Sequence, residues 1–305
     1  MSGLIIKSSG SAYGVLLQDG RTVEAHVKGN FRIKGIRSTN PVAVGDRVTV
    51  EQLPDGTNWI IDICDRRNYI IRRATNLSKQ SHILAANVDQ VALVVTVNHP
   101  KTSTTFIDRF LATCEAYRVP AALIINKIDI YDAEDLAELE YFRLLYKEIG
   151  YPVYRISATH LSHELDELLI GKTTLLSGNS GVGKSTLLNA LFGEEKTRTG
   201  FISDAHDCGM HTTTFSEMYF LNTETAIIDT PGIKGFGTFD MKREEVSHYF
   251  KEIFALSSKC RFGNCTHTNE PDCAVRTAVE NAEIAPSRYE SYLSLLGDCE
   301  EGKYR

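Results

Sequence analysis

The sequence predicts a multidomain fold with an N-terminal β-barrel, a central α/β domain and a C-terminal helical domain stapled by a metal. Three observations predict that series. Residues 1 to about 65 alternate short β-rich runs with turn signals. From residue 89, buried apolar runs alternate with longer helical ones, and one strand-to-helix junction reads Gly178-Asn179-Ser180-Gly181-Val182-Gly183-Lys184-Ser185. Toward the C-terminus, Cys260, Cys265, His267 and Cys273 fall within 14 residues.

At 305 residues the chain has room for two or three domains with cores of their own. Its 42% hydrophobic and 24% charged residues, with no apolar run near about 18 residues, place it among soluble globular proteins and argue against a membrane span. Met1-Ser-Gly-Leu-Ile-Ile-Lys7 has no signal-peptide pattern, so a cytoplasmic protein is expected. The seven cysteines fit, since three crowd beside a histidine and four are scattered. A net charge of −6 hides an asymmetry. Residues 1–80 carry 12 Lys+Arg against 7 Asp+Glu, and the remainder 21 against 32. A basic first piece on an acidic protein suggests a polyanion contact, or merely a solvated basic face.

In chain order, Gly14–Leu17, Thr22–Val27, Val48–Val50 and Trp59–Ile63, with turns at Asp19-Gly20 and Gly29-Asn30, suggest about five short strands over residues 1–65. A closed OB-fold barrel is the common solution at that size, and such barrels often bind RNA. Residues 66–88 read as a linker. Its stretch 66–79 holds five basic residues, Arg66, Arg67, Arg72, Arg73 and Lys79, and no acidic one. It suits a phosphate backbone, with Tyr69 available to stack, or an inter-domain strap whose arginines pair with acidic surface. Residues 89–240 form the α/β domain: strands at Gln90–Val97, Pro120–Asn126, Pro152–Ser157, Lys172–Ser177, Phe215–Leu221 and Thr225–Asp229, with helices at Thr104–Tyr117, Ala133–Ile149 and His163–Ile170. A further helix opens at Ser185, behind the glycine loop.

Residues 178–185 match G-x-x-x-x-G-K-S in the strand, loop and helix context of a phosphate-binding loop. Glycines let backbone N–H groups converge on phosphate oxygens at a helix N-terminus. Lys184 would reach the β- and γ-phosphates, and Ser185, followed by Thr186, would ligate Mg²⁺. Asn126-Lys127-Ile128-Asp129 ends a strand, where ligands of open α/β sheets bind, and reads N-K-x-D. The Asp129 carboxylate can accept from guanine N1–H and N2–H₂, a donor pair adenine lacks, while Asn126 and the Lys127 stem bracket the base. Ser157-Ala158 ends the next strand as the S-A element, and its backbone N–H would meet guanine O6. Asp229-Thr-Pro-Gly232 reads D-x-x-G, with Asp229 on Mg²⁺ through water and the Gly232 N–H on the γ-phosphate. Together these define a GTP/GDP site with Mg²⁺.

In ordinary GTPases N-K-x-D and S-A follow the phosphate loop; here they precede it. The central domain is therefore a circularly permuted P-loop GTPase, a change that domains with adjacent termini tolerate. Its second switch leads straight into the C-terminal domain, so γ-phosphate loss could pull on that domain. Residues 241–305 hold the Cys₃His set, Cys260, Cys265, His267 and Cys273, between amphipathic runs at Glu244–Ser257 and Ala274–Leu296. Four ligands close a structural Zn²⁺ site. Free core cysteines are the bland alternative.

A basic barrel, a permuted GTPase and C-x₄-C-x-H-x₅-C, in that order, resemble the ribosome small-subunit-dependent GTPase A family. Gly45-Asp-Arg-Val48, Gly209-Met-His-Thr-Thr-Thr214 and Glu270-Pro-Asp-Cys-Ala-Val275 add to the resemblance, which covers nearly the whole chain. Met210 stands where that family often has Arg. The resemblance implies a bacterial cytoplasmic GTPase, expected to be a monomer, that binds the 30S subunit and its 16S rRNA, acts late in its maturation and is stimulated by it. The alternative is a GTP-locked RNA-binding placement factor in which hydrolysis only times release. Ile233 follows D-x-x-G where Ras-like proteins carry a water-orienting glutamine. His211 is therefore the expected internal group for the attacking water, unless it contacts RNA, and Thr213 is favoured over Thr212 as the Mg²⁺ ligand. Lys184, His211 and Thr213 complete the expected catalytic set.

Overall fold

A computed structural model describes residues 1–10, 12–27, 41–73, 81–193, 216–230 and 241–300. Gly29, Asn30, His211, Thr213, Gly232 and Ile233 lie outside the described residues.

The first five strands are β1 (Ser2–Ser8), β2 (Tyr13–Leu17), β3 (Thr22–Val27), β4 (Arg47–Gln52) and β5 (Asn58–Ile63). β1 pairs with both β2 and β4, β2 with β3, and β3 with β5, which returns to β4. That circuit closes a five-stranded OB-like barrel in which only β3 and β5 run parallel. Alternation does the packing: Ile5, Val15, Leu17, Ala25, Val48, Val50 and Ile60 all point inward and are buried.

The linker is not unstructured. β6 (Tyr69–Arg73) and β7 (Ser81–Ala86) pair antiparallel as a separate two-stranded sheet. Ile71, Ile83 and Ala86 pack with Ala43, and the Tyr69 ring lies 5.4 Å from that of Tyr117. Two linker arginines are committed to partners. Arg66 donates to Asp46 at 2.7 and 2.6 Å and to the Pro41 carbonyl at 2.7 Å, in a pair whose side chains are 7% and 0% exposed. Arg67 meets Asp89 at 2.7 Å. For the buried Arg66 the geometry fits the strap reading, while Arg67 remains an exposed side chain. Tyr69 is half-buried, with its ring against that of Tyr117.

The α/β domain follows: β8 (Gln90–Val95), α1 (Thr104–Ala116), β9 (Ala121–Ile125), α2 (Ala133–Glu148), β10 (Val153–Arg155), α3 (Asp166–Leu169), β11 (Thr173–Gly178), α4 (Lys184–Phe192), β12 (Ser216–Phe220) and β13 (Ala226–Asp229). Its strands lie in the order β10-β9-β8-β11-β13-β12, parallel except for β12. β8 and β9 are buried along their whole length, as a sheet covered on both faces requires. The sheet does not end at β12. β1 of the barrel adds to its free edge with Lys7 opposite Glu217, an ion pair at 3.2 Å, so one eleven-stranded sheet runs through both units.

The C-terminal part holds α5 (Lys251–Ser257), α6 (Ala274–Glu280) and α7 (Pro286–Glu300), preceded by a 3₁₀ run at Arg243–Tyr249. The amphipathic stretch expected at 274–296 is broken at Ala282, where φ is 59°, and restarts at Pro286, whose ring fits a first helical turn. This unit is fixed to α1. Arg288, 1% exposed, donates to Asp108 of α1 at 2.7 Å and to Glu252 of α5 at 2.7 and 3.1 Å, with its guanidinium 4.8 Å from the centre of the Phe250 ring. Tyr146 of α2 donates to the same Asp108 oxygen at 2.8 Å. Arg109 adds an ion pair to Asp298 at 2.8 Å. No helix among the described residues is long and apolar enough to cross a membrane.

Arg288→Ala strands the Asp108 and Glu252 carboxylates without their cation, a loss expected to cost about 3–5 kcal/mol. Chemical denaturation of the full chain should then show an earlier transition; an unchanged midpoint contradicts the clamp.

Candidate functional site

Four loops converge at the C-terminal ends of the parallel strands. The loop after β11 is set by glycines. Gly178 and Gly183 have φ of 150° and 94°, and a Cβ at Gly183 would collide with the Asn126 amide. No side chain caps α4, whose N-cap residue is Gly183, so its first N–H groups remain for an anion. Lys184 is 9% exposed, and its ammonium donates to the carbonyls of Gly178 at 2.7 Å and Asn179 at 3.0 Å. Burial lowers its pKa and the nearby Asp229 opposes that. Val182 is buried beneath the loop; Ser180 and Gly181 are exposed, and Asn179, Ser185 and Thr186 lie along it and the start of α4. Asp229 closes β13 directly beside β11, in register with Leu176, and is 3% exposed.

Asn126 ends β9 and is 1% exposed. Its Nδ2 donates to the Val182 carbonyl and its Oδ1 accepts from the Ala158 N–H, both at 2.9 Å. Tyr131 donates to the Asn126 carbonyl at 2.7 Å, and burial pushes that phenol up to about 12, so it stays a donor. Lys127 is left-handed, φ 68°, and its Nζ donates to the His99 carbonyl at 2.6 Å, while its stem lies next to Gly183. Ile128 begins the short turn that presents Asp129, holding to the Ile156 carbonyl through its N–H. The Ser157 hydroxyl donates to Asp129 Oδ1 at 2.6 Å, and that bond chiefly holds the exposed carboxyl below its ordinary range. The Ala158 N–H, expected to face a base, is used here to hold Asn126.

Several contributors carried no sequence signal. The segment after β8 brings Pro100 against Gly181 and the His99 carbonyl onto Lys127. Thr159 and His160 stand beside Ser157. Only their adjacency to Ser157-Ala158 could have marked them.

At the far end, the ligand atoms of Cys260, Cys265, His267 and Cys273 all lie within 4.8 Å of one another. Cys260 Sγ is 3.9 Å from Cys273 Sγ, and His267 Nδ1 is 3.6 and 3.5 Å from those two sulfurs. A tetrahedral Zn²⁺ with bonds of about 2.3 Å to sulfur and about 2.0 Å to nitrogen needs donor separations of about 3.5–3.8 Å. The cluster is compatible with zinc. His267 Nε2 points to the Ser257 hydroxyl at 3.1 Å, which orients Nδ1 toward the sulfurs. Burial keeps that imidazole below its usual range, against the pull of Glu270. Burial alone would raise the Glu270 carboxyl instead. The Thr266 hydroxyl and the N–H groups of Thr266 and Thr268, donating at 2.6, 2.6 and 2.9 Å, outweigh it and hold the carboxyl at about 2. Tyr289 and Tyr292 pin the loop from α7 through the carbonyls of His267 and Thr266.

Comparison with known proteins gives the same order for the first two parts of the chain. Residues 2–60 match the RsgA N-terminal domain and residues 63–239 the RsgA GTPase family. A Phocaeicola vulgatus protein described as small ribosomal subunit biogenesis GTPase RsgA is 62% identical, covering 100% of this chain and 99% of its own. A protein of the same description from Porphyromonas gingivalis is 58% identical over the same shares. Among solved structures, YjeQ from Thermotoga maritima superposes with a TM-score of 0.74 at 34% identity, covering 98% of both chains. YloQ, described as a circularly permuted GTPase, gives 0.68 at 30% identity over 100% of this chain and 96% of its own.

Cys265→Ala should drop bound zinc, measured by elemental analysis, well below one per chain and speed hydrogen exchange in residues 259–275, with residues 173–193 unaffected. Full zinc retention in that variant contradicts the assignment.

Proposed function

The chain belongs to the RsgA GTPase family, and from that membership we propose that it is a Mg²⁺-dependent GTP hydrolase that binds the 30S ribosomal subunit, assists its late maturation and turns over faster on it. One observation carries the nucleotide reading: the Asn126 side chain joins the phosphate loop, through Val182, to the S-A loop, through Ala158. That juxtaposition supports reading Asp129 as the base side and residues 178–186 as the phosphate side of one site.

In this reading Asp129 accepts from the two guanine donors. Asn126, Lys127 and Ile128 with Ser157 and Ala158 shape the base pocket, and the Ala158 N–H is shared with guanine O6. The N–H groups of Gly178 to Gly183 cradle phosphate oxygens, and Lys184 trades its loop carbonyls for the β- and γ-phosphates, neutralising charge that builds during transfer. Ser185, Thr213 and Asp229 would hold Mg²⁺, which when bound polarises the terminal phosphate. Gly232 senses that phosphate. Because Ile233 can neither donate to nor accept from water, His211 is assigned to orienting it. Zinc at the Cys₃His cluster is structural, with no ligand position left for chemistry.

The division proposed is residues 1–65 for rRNA contact, 66–88 as a strap, 89–240 for GTP and 241–305 for subunit docking. Affinity for 16S rRNA is assigned to basic residues of the first 80 positions other than the paired Arg66 and Arg67. A cytoplasmic monomer fits these roles.

The test is a GTPase assay titrated with purified 30S subunits. Turnover of the parent should climb to a plateau. Lys184→Ala should hydrolyse nothing, and His211→Ala should keep GTP and subunit binding but lose most of the stimulated rate. Turnover indifferent to 30S subunits contradicts the function; full stimulation of His211→Ala returns water positioning to the ribosome or the backbone.

A further inference from the structure

Behind Asp129 stand two polar side chains for which the nucleotide reading has no use. Thr159 Oγ1 is 2.8 Å from Ser157 Oγ, and His160 Nδ1 is 3.0 Å from Thr159 Oγ1 and 3.4 Å from Ser157 Oγ. A turn closed by the His160 N–H on the Ser157 carbonyl at 3.0 Å brings all three together.

Counting protons orients the bonds. The single Ser157 hydroxyl proton goes to Asp129, at 2.6 Å. Thr159, whose hydroxyl also hydrogen-bonds Asp129 itself, is then the donor left for the Ser157 contact. Its one proton is then spent, so His160 has to supply the next proton from Nδ1. Either the Nδ1–H tautomer or the imidazolium satisfies this. The chain runs one way, from His160 through Thr159 and Ser157 to the carboxylate, and each bond polarises the next.

We propose that Thr159 and His160 are positioning residues for guanine recognition, completing a one-way relay of donors that fixes the orientation of the Asp129 carboxylate. The proposal rests on the assignment of Asp129 to the base. Asp129 is an exposed side chain on a three-residue turn, with rotamer freedom that binding would otherwise have to remove. Guanine presents two adjacent donors, N1–H and an N2–H. Meeting both needs the carboxylate plane aligned with the base, whereas meeting one does not. The relay holds one edge of the carboxylate and leaves the rest of its acceptor capacity to the base. It is thus a device for reading the 2-amino group, and its effect should show in selectivity between guanine and hypoxanthine, which has N1–H alone.

The experiment is a calorimetric titration of the full chain with GDP and with IDP. Thr159→Val keeps the side-chain shape and removes the hydroxyl. It should weaken GDP about five- to twentyfold, with a smaller effect on IDP, so that the GDP:IDP ratio narrows. Thr159→Ser should restore both the affinity and the ratio, and His160→Ala should move them the same way by about two- to fivefold. Thr159 and His160 are exposed, so melting midpoints should stay with the parent. Asp129→Asn separates the two layers of the argument. If it loses GDP while Thr159→Val binds both nucleotides as the parent does, the relay is wrong and the site stands. Equal losses in Thr159→Val and Thr159→Ser also overturn the relay, since the hydroxyl would then not matter. If Asp129→Asn binds GDP as tightly as the parent, the base assignment fails and the relay with it.

Discussion

One buried amide holds the site together. Each polar group of Asn126 is bonded to a different segment: its N–H to the Val95 carbonyl, its carbonyl to Tyr131, its Oδ1 to the Ala158 N–H and its Nδ2 to the Val182 carbonyl. Buried at 1% exposure, it has no water to fall back on, so each partner must be where it is. The requirement propagates. Gly183 has to lack a Cβ because the amide occupies that space, and this in turn sets the turn that opens α4. Tyr131 donates as a protonated phenol, the form that burial favours further. Lys127 and Asp129 follow Asn126 in the chain, one and three residues on.

The same bond explains why chain order matters so little to the pocket. Val182 lies 56 residues after Asn126, and no backbone ladder joins their loops; the amide does. A sheet whose loops are tied by side chains can be cut and rejoined elsewhere. What the permutation changes is the surroundings. The barrel joins the sheet at β12 through β1, with Lys7 on Glu217. The C-terminal unit grips α1 through Arg288 and Asp108, and α1 begins just beyond the segment that brings Pro100 to the phosphate loop and the His99 carbonyl to Lys127. The expectation that γ-phosphate loss pulls on the C-terminal unit through the second switch concerns residues 231–240, outside those described. Among the described residues α1 joins the two through Asp108 and Glu115, beside the contact of Lys251 with the Tyr151 ring.

Legibility in the sequence followed how strictly chemistry constrains spacing. Residues 178–185 and 126–129 could be read because phosphates and a base edge demand particular residue types at adjacent positions. The Cys₃His set could be read because four ligands must reach a common point. The order of strands followed from buried runs and turns. Long-range pairing was invisible. Arg66 resembles any exposed arginine in a basic stretch, and only folding shows that Asp46, 20 residues earlier, sits buried in front of it. Arg288 and Asp108 are 180 residues apart and lie in ordinary helical patterns. The hairpin of β6 and β7 was missed because charge, rather than alternation, dominates its first strand. Thr159 and His160 are polar residues in a turn, and turns are full of them.

The most direct measurement is GDP affinity of Asn126→Ala, by calorimetry, beside its far-UV circular dichroism. Removing the amide leaves the buried Val182 carbonyl and Ala158 N–H without partners and frees the two loops from each other. Affinity should fall on the order of a hundredfold with secondary structure retained. A variant that binds GDP as tightly as the parent would contradict the claim that this one side chain aligns the base and phosphate halves of the site.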